Sequence, residues 1–114
     1  MGTLREVNLE LGRPSVDQAL RLLHQELRTS KEMRCKAIKF IHGYGSSGSG
    51  GKIRVAVRRE LEAMKGRGEI LSIIPGERFT IFEADTRSAF SRCGSLRDDE
   101  DLERYNNGVT IVLI

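Results

Sequence analysis

Hydrophobic and polar side chains alternate from Leu4 to Leu11, with Val7, Leu9 and Leu11 on one side and Glu6, Asn8 and Glu10 on the other. A period of two predicts a half-exposed first strand, which Gly12-Arg13-Pro14 ends. The period then changes. Val16, Ala19, Leu20, Leu23 and Leu27 recur at helical spacing, and Ser15 precedes Gln18 by the interval of a capping box. A helix over 16–29 follows from both signals. Lys36 to Ile41 is nearly unbroken in apolar character and suits a central strand covered on both faces.

From Gly43 to Gly51 every residue but Tyr44 is Gly or Ser, so the strand runs into a loop. Ile53, Ala56, Val57, Leu61 and Met64 then mark a second helix, stopped by Gly66 and Gly68. Ile70 to Ile74 reads as a third strand, Pro75-Gly76 as a turn, and Phe79 to Phe82 as a short fourth strand. Asp85 to Cys93 forms a helix capped by Asp85 and ended by Gly94. The acidic stretch after it reads as an exposed loop, and Asn106-Asn107-Gly108 turns into a terminal strand, Val109 to Ile114. The order β-α-β-α-β-(β)-α-β predicts an α/β fold of the α+β kind, with helices packed on a mixed sheet. At 114 residues, 39% of them apolar, the expectation is one domain over 1–114.

Charge changes the picture more than composition does. Residues 28–59 hold nine Lys or Arg against one acid, Glu32, a local +8 within a chain of net +3, which leaves −5 for the rest. A clustered cationic segment is what a phosphate-binding surface needs, since neutralised phosphates release counterions; a solvated helix face is the plainer explanation of the same residues. No run approaches the roughly 20 apolar residues of a membrane span, and Met1 to Glu6 lacks the apolar core of a leader. The expectation is a cytosolic protein with no membrane partner, its two cysteines, Cys35 and Cys93, reduced.

Gly43-Tyr44-Gly45-Ser46-Ser47-Gly48 spells the dinucleotide fingerprint after a strand. Glycines continuing to Gly51, no acid ending a following strand and the short chain all oppose that reading. A Walker A loop fails because Ser46 and Ile53 stand where glycine and Ser or Thr are required. What the segment does offer is backbone N–H groups at the positive end of a helix, with Lys52 and Arg54 in its first turn and Arg58 one turn later, a place that binds phosphate. Tyr44, between two glycines, is suited to stacking on a base. His24 reads as a packing or surface residue. Cys35 begins a buried strand and no third group orients a Cys/His pair, the four Cys and His residues lack zinc spacing, and Asp98 to Asp101 lacks the glycine and Glu of a calcium loop.

The run Ile41-His42-Gly43-Tyr44-Gly45, the Gly/Ser stretch and Lys52-Ile53-Arg54-Val55-Ala56-Val57 together resemble the Smr (small MutS-related) domain family. Its signature is a strand, H-G-x-G and a helix opening near L-R-x-x-V. The resemblance extends to the Pro-Ser-Val start of the first helix and to Gly108 to Val112. It implies a two-layer α/β sandwich like the C-terminal domain of translation initiation factor three. It also implies binding of RNA or DNA and, in several members, endonuclease activity that nicks DNA or cuts RNA, with some acting on messenger RNA at stalled ribosomes; the ribosome is thus an expected partner beside nucleic acid, and a divalent ion an expected cofactor of any hydrolysis.

His42, Gly43 and Gly45 match H-G-x-G, and Arg54 matches the helix arginine. Nuclease members carry L-D-x-H or L-D-x-R at the end of the first strand; here that place falls on Leu9-Glu10-Leu11-Gly12 or, with two residues inserted before Ser15, on Val7-Asn8-Leu9-Glu10. Neither supplies both the Asp and the basic partner. The expected site is therefore His42 as acid/base, phosphate contact or structural histidine, and Glu10 as base or water holder. Gly43, Tyr44, Gly45, Lys52, Arg54 and Arg58 are expected to contact phosphate or base. The alternatives are a non-catalytic adaptor for RNA or a ribosomal surface, and a binder of small phosphorylated ligands.

Overall fold

Ser15 accepts the Gln18 amide on its hydroxyl at 3.1 Å while the Gln18 side chain accepts the Ser15 amide at 2.8 Å, so the capping box opens helix α1 (Val16–Glu32) as its spacing predicts. The computed structural model describes residues 3–43 and 49–114, with Ser49 and Gly50 described as backbone. The remaining elements are strands β1 (Leu4–Asn8), β2 (Ala37–Ile41), β3 (Ser72–Pro75) and β4 (Val109–Leu113), and helices α2 (Ser49–Gly66) and α3 (Ala84–Arg92). Short 3-10 turns lie at Gly76–Arg78 and Gly94–Asp98. Among the described residues no helix is long and apolar enough to cross a membrane.

Four strands form one mixed sheet in the order β1-β2-β4-β3, with β1 and β2 parallel and β4 antiparallel to both of its neighbours. The two central strands are those whose sequences are apolar without alternation. Side chains of alternate sign of pleat divide the core in two. Val7, Ile38, Phe40, Ile73 and Val112 face α1 and α2, where they pack with Leu23, Leu27, Val57 and Leu61. Ala37, Ile74, Ile111 and Leu113 face the other way, against Phe79, Ala89, Phe90 and Leu96 of the α3 side. Each fully buried Leu, Ile or Phe in either cluster contributes roughly 1.5–3 kcal/mol.

Four expectations need correction. Phe79 to Phe82 is not a strand: Gly76 lies so close to the chain before β4 that a Cβ there would sit 1.9 Å from the Asn106 carbonyl oxygen, and the turn it begins carries the chain off the sheet. Leu11 is 75% exposed, because β1 ends at Asn8 before the alternation does. Helix α3 starts at Ala84 with Glu83 at its cap position and no side-chain cap, so Asp85 lies in its first turn.

The acidic run is only partly exposed. Asp99 and Asp101 turn inward to Lys39, whose ammonium is 3.1 and 2.7 Å from them and 3.1 Å from Glu6, its neighbour across β1 and β2. Burial disfavours the Lys39 charge, but the hydrogen bonds to Asp101, Asp99 and Glu6 outweigh it and raise its pKa above that of an ordinary lysine.

Candidate nucleic-acid interface

Because β1 and β2 run parallel, their carboxyl ends lie at one edge of the sheet, and β4 begins at the same edge. The chain segments beyond these ends are tied together. The Leu9 amide donates to the Ile41 carbonyl at 2.8 Å, and the amides of His42 and Gly43 both donate to the Gly108 carbonyl at 3.0 Å. Asn8 accepts the Glu10 amide on its side-chain oxygen at 2.9 Å, turning the chain after β1. This places the Glu10 carboxylate against Gly43, where a Cβ would come within 2.2 Å of Glu10 Oε2, and Gly43 has φ +72°, a conformation that calls for glycine.

His42 is fully buried. Its Nδ1 donates to the Gly43 carbonyl at 2.9 Å, and Nε2 accepts from the Thr110 hydroxyl at 2.7 Å, whose oxygen in turn accepts from Arg58 Nε at 3.1 Å. Donors running in one direction from Arg58 through Thr110 to the ring fit a neutral imidazole. Burial first, and then the charges of Arg58 and Arg54, push the His42 pKa from 6.5 down to about 4, against the opposing effect of its bond to Gly43. Both ring nitrogens are engaged inside the protein. That arrangement orients the start of the glycine stretch and leaves no nitrogen free for a substrate.

Arg58 is occupied in the same way. Its Nη1 and Nη2 each reach a Glu77 oxygen at 2.8 Å, a bidentate fork, and Nη2 also donates to the carbonyls of Val109 at 3.2 Å and Asn107 at 3.3 Å. Burial works against the Glu77 charge, yet the Arg58 bonds prevail and hold its carboxyl below the usual range. Arg58 thus braces the site from within, although its sequence position suggested a phosphate contact. Lys52 and Arg59 are exposed on α2 and Arg54 is half-buried, and none of the three has a hydrogen bond or ion pair to another described residue. Arg54 lies near enough to act on both His42 and Glu77.

Of the expected site residues, the structure therefore brings together Glu10, His42, Gly43, Arg54 and Arg58, with Lys52 about half a turn before Arg54 on another side of α2. Tyr44 and Gly45 lie outside the described residues. His24 pairs with Glu60 at 2.6 Å between α1 and α2. Cys35 precedes β2 while His42 follows it, which separates them by about 20 Å of strand, so no Cys/His pair forms there. Among the described residues no three His, Cys, Asp or Glu side chains gather as a metal site would have them. Sequence reading missed Thr110 and Glu77. A threonine in the otherwise apolar Val109–Leu113 strand was the one available signal for the first; nothing local marks the second.

The same arrangement of strands and helices is found in the crystal structure of the Smr domain of Thermus thermophilus MutS2, with a TM-score of 0.54 and 23% identity over 96% of this chain and 95% of that one. The chain has the Smr-domain fold. No family model and no curated protein matches the sequence. Within this Smr fold, the H-G pair and the helix arginine that carried the resemblance sit at one edge of the sheet. The expected α/β sandwich is met: all four strands pack against α1 and α2, and α3 with its flanking turns covers the other face.

Proposed function

We propose that the protein binds nucleic acid, RNA or DNA, through the first turns of α2 and the carboxyl edge of β1 and β2. The observation that carries this reading is the division of labour among the cations. Arg58 and Lys39 are bound to internal acids, whereas Lys52, Arg54 and Arg59 have no such partner among the described residues and lie on one helix. Between the exposed cations stands Val55, itself half exposed, which suits contact with a sugar or base beside the phosphates.

Fluorescence anisotropy with labelled single- and double-stranded RNA and DNA tests this. Affinity should fall steeply with salt, and Lys52→Ala, Arg54→Ala and Arg59→Ala should each lower the slope of log K against log salt by about 0.7 on single strands or about 0.9 on duplex. Salt-independent binding, or a triple variant that binds as the parent does, would sink the proposal. Mononucleotides that compete fully would move it to a small phosphorylated ligand.

A second reading, hydrolysis of the bound phosphodiester, is favoured by one observation, the Glu10 carboxylate against Gly43. In this reading Glu10 holds or deprotonates the water, Lys52 and Arg54 offset phosphate charge, and His42 positions the loop rather than moving a proton. A divalent ion, if used, would have Glu10 and the substrate's own phosphate as ligands. Glu10→Gln should then abolish cutting on substrates that it still binds, with magnesium, manganese or chelator compared on the same samples. Cutting that survives this change removes Glu10 from the chemistry.

A further inference from the structure

Residues 79–83 form a turn clamped from beneath by Glu103. The Thr80 hydroxyl and the Ile81 amide each donate to a Glu103 oxygen at 2.7 Å, and the Glu103 amide returns a bond to the Phe79 carbonyl at 3.0 Å. Arg87 adds a bond to the Ile81 carbonyl at 2.7 Å, and the Glu83 amide closes the turn on the Thr80 carbonyl at 3.0 Å. Phe79 and Thr80 of this fixed turn are buried, but the next two side chains are not: Phe82 is 78% exposed and Ile81 49%. Glu83 and Asp85, both exposed and without an ion pair among the described residues, flank them.

Single exposed apolar residues are ordinary. Two adjacent ones on a backbone already held rigid are an anchor that loses little freedom on docking. On α2, Gly51, Lys52, Val55, Ala56 and Arg59 line a shallow hollow with an apolar floor and a cation at each end. The Ile81-Phe82 surface is apolar and flanked by the carboxylates of Glu83 and Asp85, with Arg87 drawn onto the Ile81 carbonyl; the α2 hollow is apolar and flanked by the Lys52 ammonium and the Arg59 guanidinium. Apolar side chains thus face an apolar floor, with acids on one surface opposite cations on the other.

We propose that the Ile81-Phe82 knuckle of one copy of this chain docks into the α2 hollow of a second copy. The inference uses the α2 cations of the functional reading but not their ligand, and it makes nucleic acid and the second copy competitors for Lys52 and Arg59. Since knuckle and hollow are different patches, a docked pair still presents one free knuckle and one free hollow, and the contact is head-to-tail and open-ended. A contact with so few anchors belongs to the weak, transient class, half-formed on the order of 0.1–1 mM.

Sedimentation velocity over a concentration series tests this. The weight-average mass of the parent should rise with concentration and fall with added salt. Phe82→Asp, Ile81→Asp and the double variant Lys52→Glu/Arg59→Glu should each stay monomeric where the parent associates. Mixing Phe82→Asp with the double variant should give a dimer and nothing larger, because that pair has one intact knuckle and one intact hollow. An oligonucleotide should disperse the parent's assemblies, and Phe82→Asp should bind it as the parent does.

A parent that is monomeric throughout, or association that persists in both knuckle variants, overturns the proposal. So does a several-fold loss of oligonucleotide affinity in Phe82→Asp, which would make the knuckle a base-stacking surface. If the parent associates as described but binds no nucleic acid, the functional reading falls and this one stands.

Discussion

At His42, an imidazole that looks reactive in the sequence is held neutral by a threonine hydroxyl on one side and a carbonyl on the other. The consequence for stability has a definite sign. The folded pKa, about 4, lies below the unfolded value of 6.5, so below pH 6.5 the unfolded chain takes up the proton more readily. The stabilisation from neutral His42 is complete above pH 6.5 and is lost as pH falls toward 4. Between pH 7 and pH 5 this amounts to about 2 kcal/mol, measurable by urea unfolding of the parent against His42→Gln, in which that component of the decline should vanish.

His42, Gly43 and Arg54 were legible because their types and spacing form a local pattern. Arg58 was legible as a cation but not as a brace, since its direction is decided by Glu77 and Thr110, which meet it only in the folded chain. Thr110→Val tests that brace: it removes the acceptor for Arg58 and the donor to His42, and should cost about 1–3 kcal/mol in unfolding free energy while raising the His42 pKa seen by NMR titration.

Among elements, the strands and helices from β1 to α2 follow their sequence patterns closely, because β1, α1 and α2 each bury one clear face and β2 buries both. The segment after β3 does not. Phe79 is buried and Phe82 exposed, an alternation that a strand and a clamped turn produce equally, and the deciding contact, Gly76 against Asn106 and Val109, joins residues about thirty positions apart. The acidic run misled for a related reason. Its partner is Lys39 in the middle of β2, and a lysine within an apolar strand buried on both faces was the signal that carboxylates had to come to it. Burial disfavours the charge on Asp101, but its bonds to Lys39 and Asn106 win and keep its pKa low. Lys39→Met should therefore destabilise by about 3–5 kcal/mol, because it strands inward-facing carboxylates. Adding Asp99→Asn and Asp101→Asn should restore much of that loss in the same denaturation assay. A single variant as stable as the parent would show that the cluster adds nothing.

For the molecule as a whole, one sheet lies between two apolar clusters, and β2 and β4 contribute to both. Loss of packing on either side should therefore be felt on the other. Leu61→Ala on the α2 side and Phe79→Ala on the α3 side are expected to cost about 2–5 and 3–5 kcal/mol, each through a single cooperative transition seen alike by far-ultraviolet circular dichroism and by tyrosine fluorescence. A separate early transition in Phe79→Ala would mean that the α3 side folds as a unit of its own. The division of charge read from the sequence survives into three dimensions in altered form, with part of each sign used up in the Lys39 cluster and the Arg58 fork.

The place of β4 has a consequence in time as well as in space. It follows the other three strands in sequence but is central in the sheet, and the Gly108 carbonyl before it receives the amides of both His42 and Gly43. Until that strand has been synthesised, β2 and β3 have no common neighbour and the segment at His42 has no anchor. During vectorial synthesis the edge of the sheet at His42 thus stays unformed after β1, β2, β3 and the three helices have emerged, so a growing chain would carry the α2 cations without the surface that organises them.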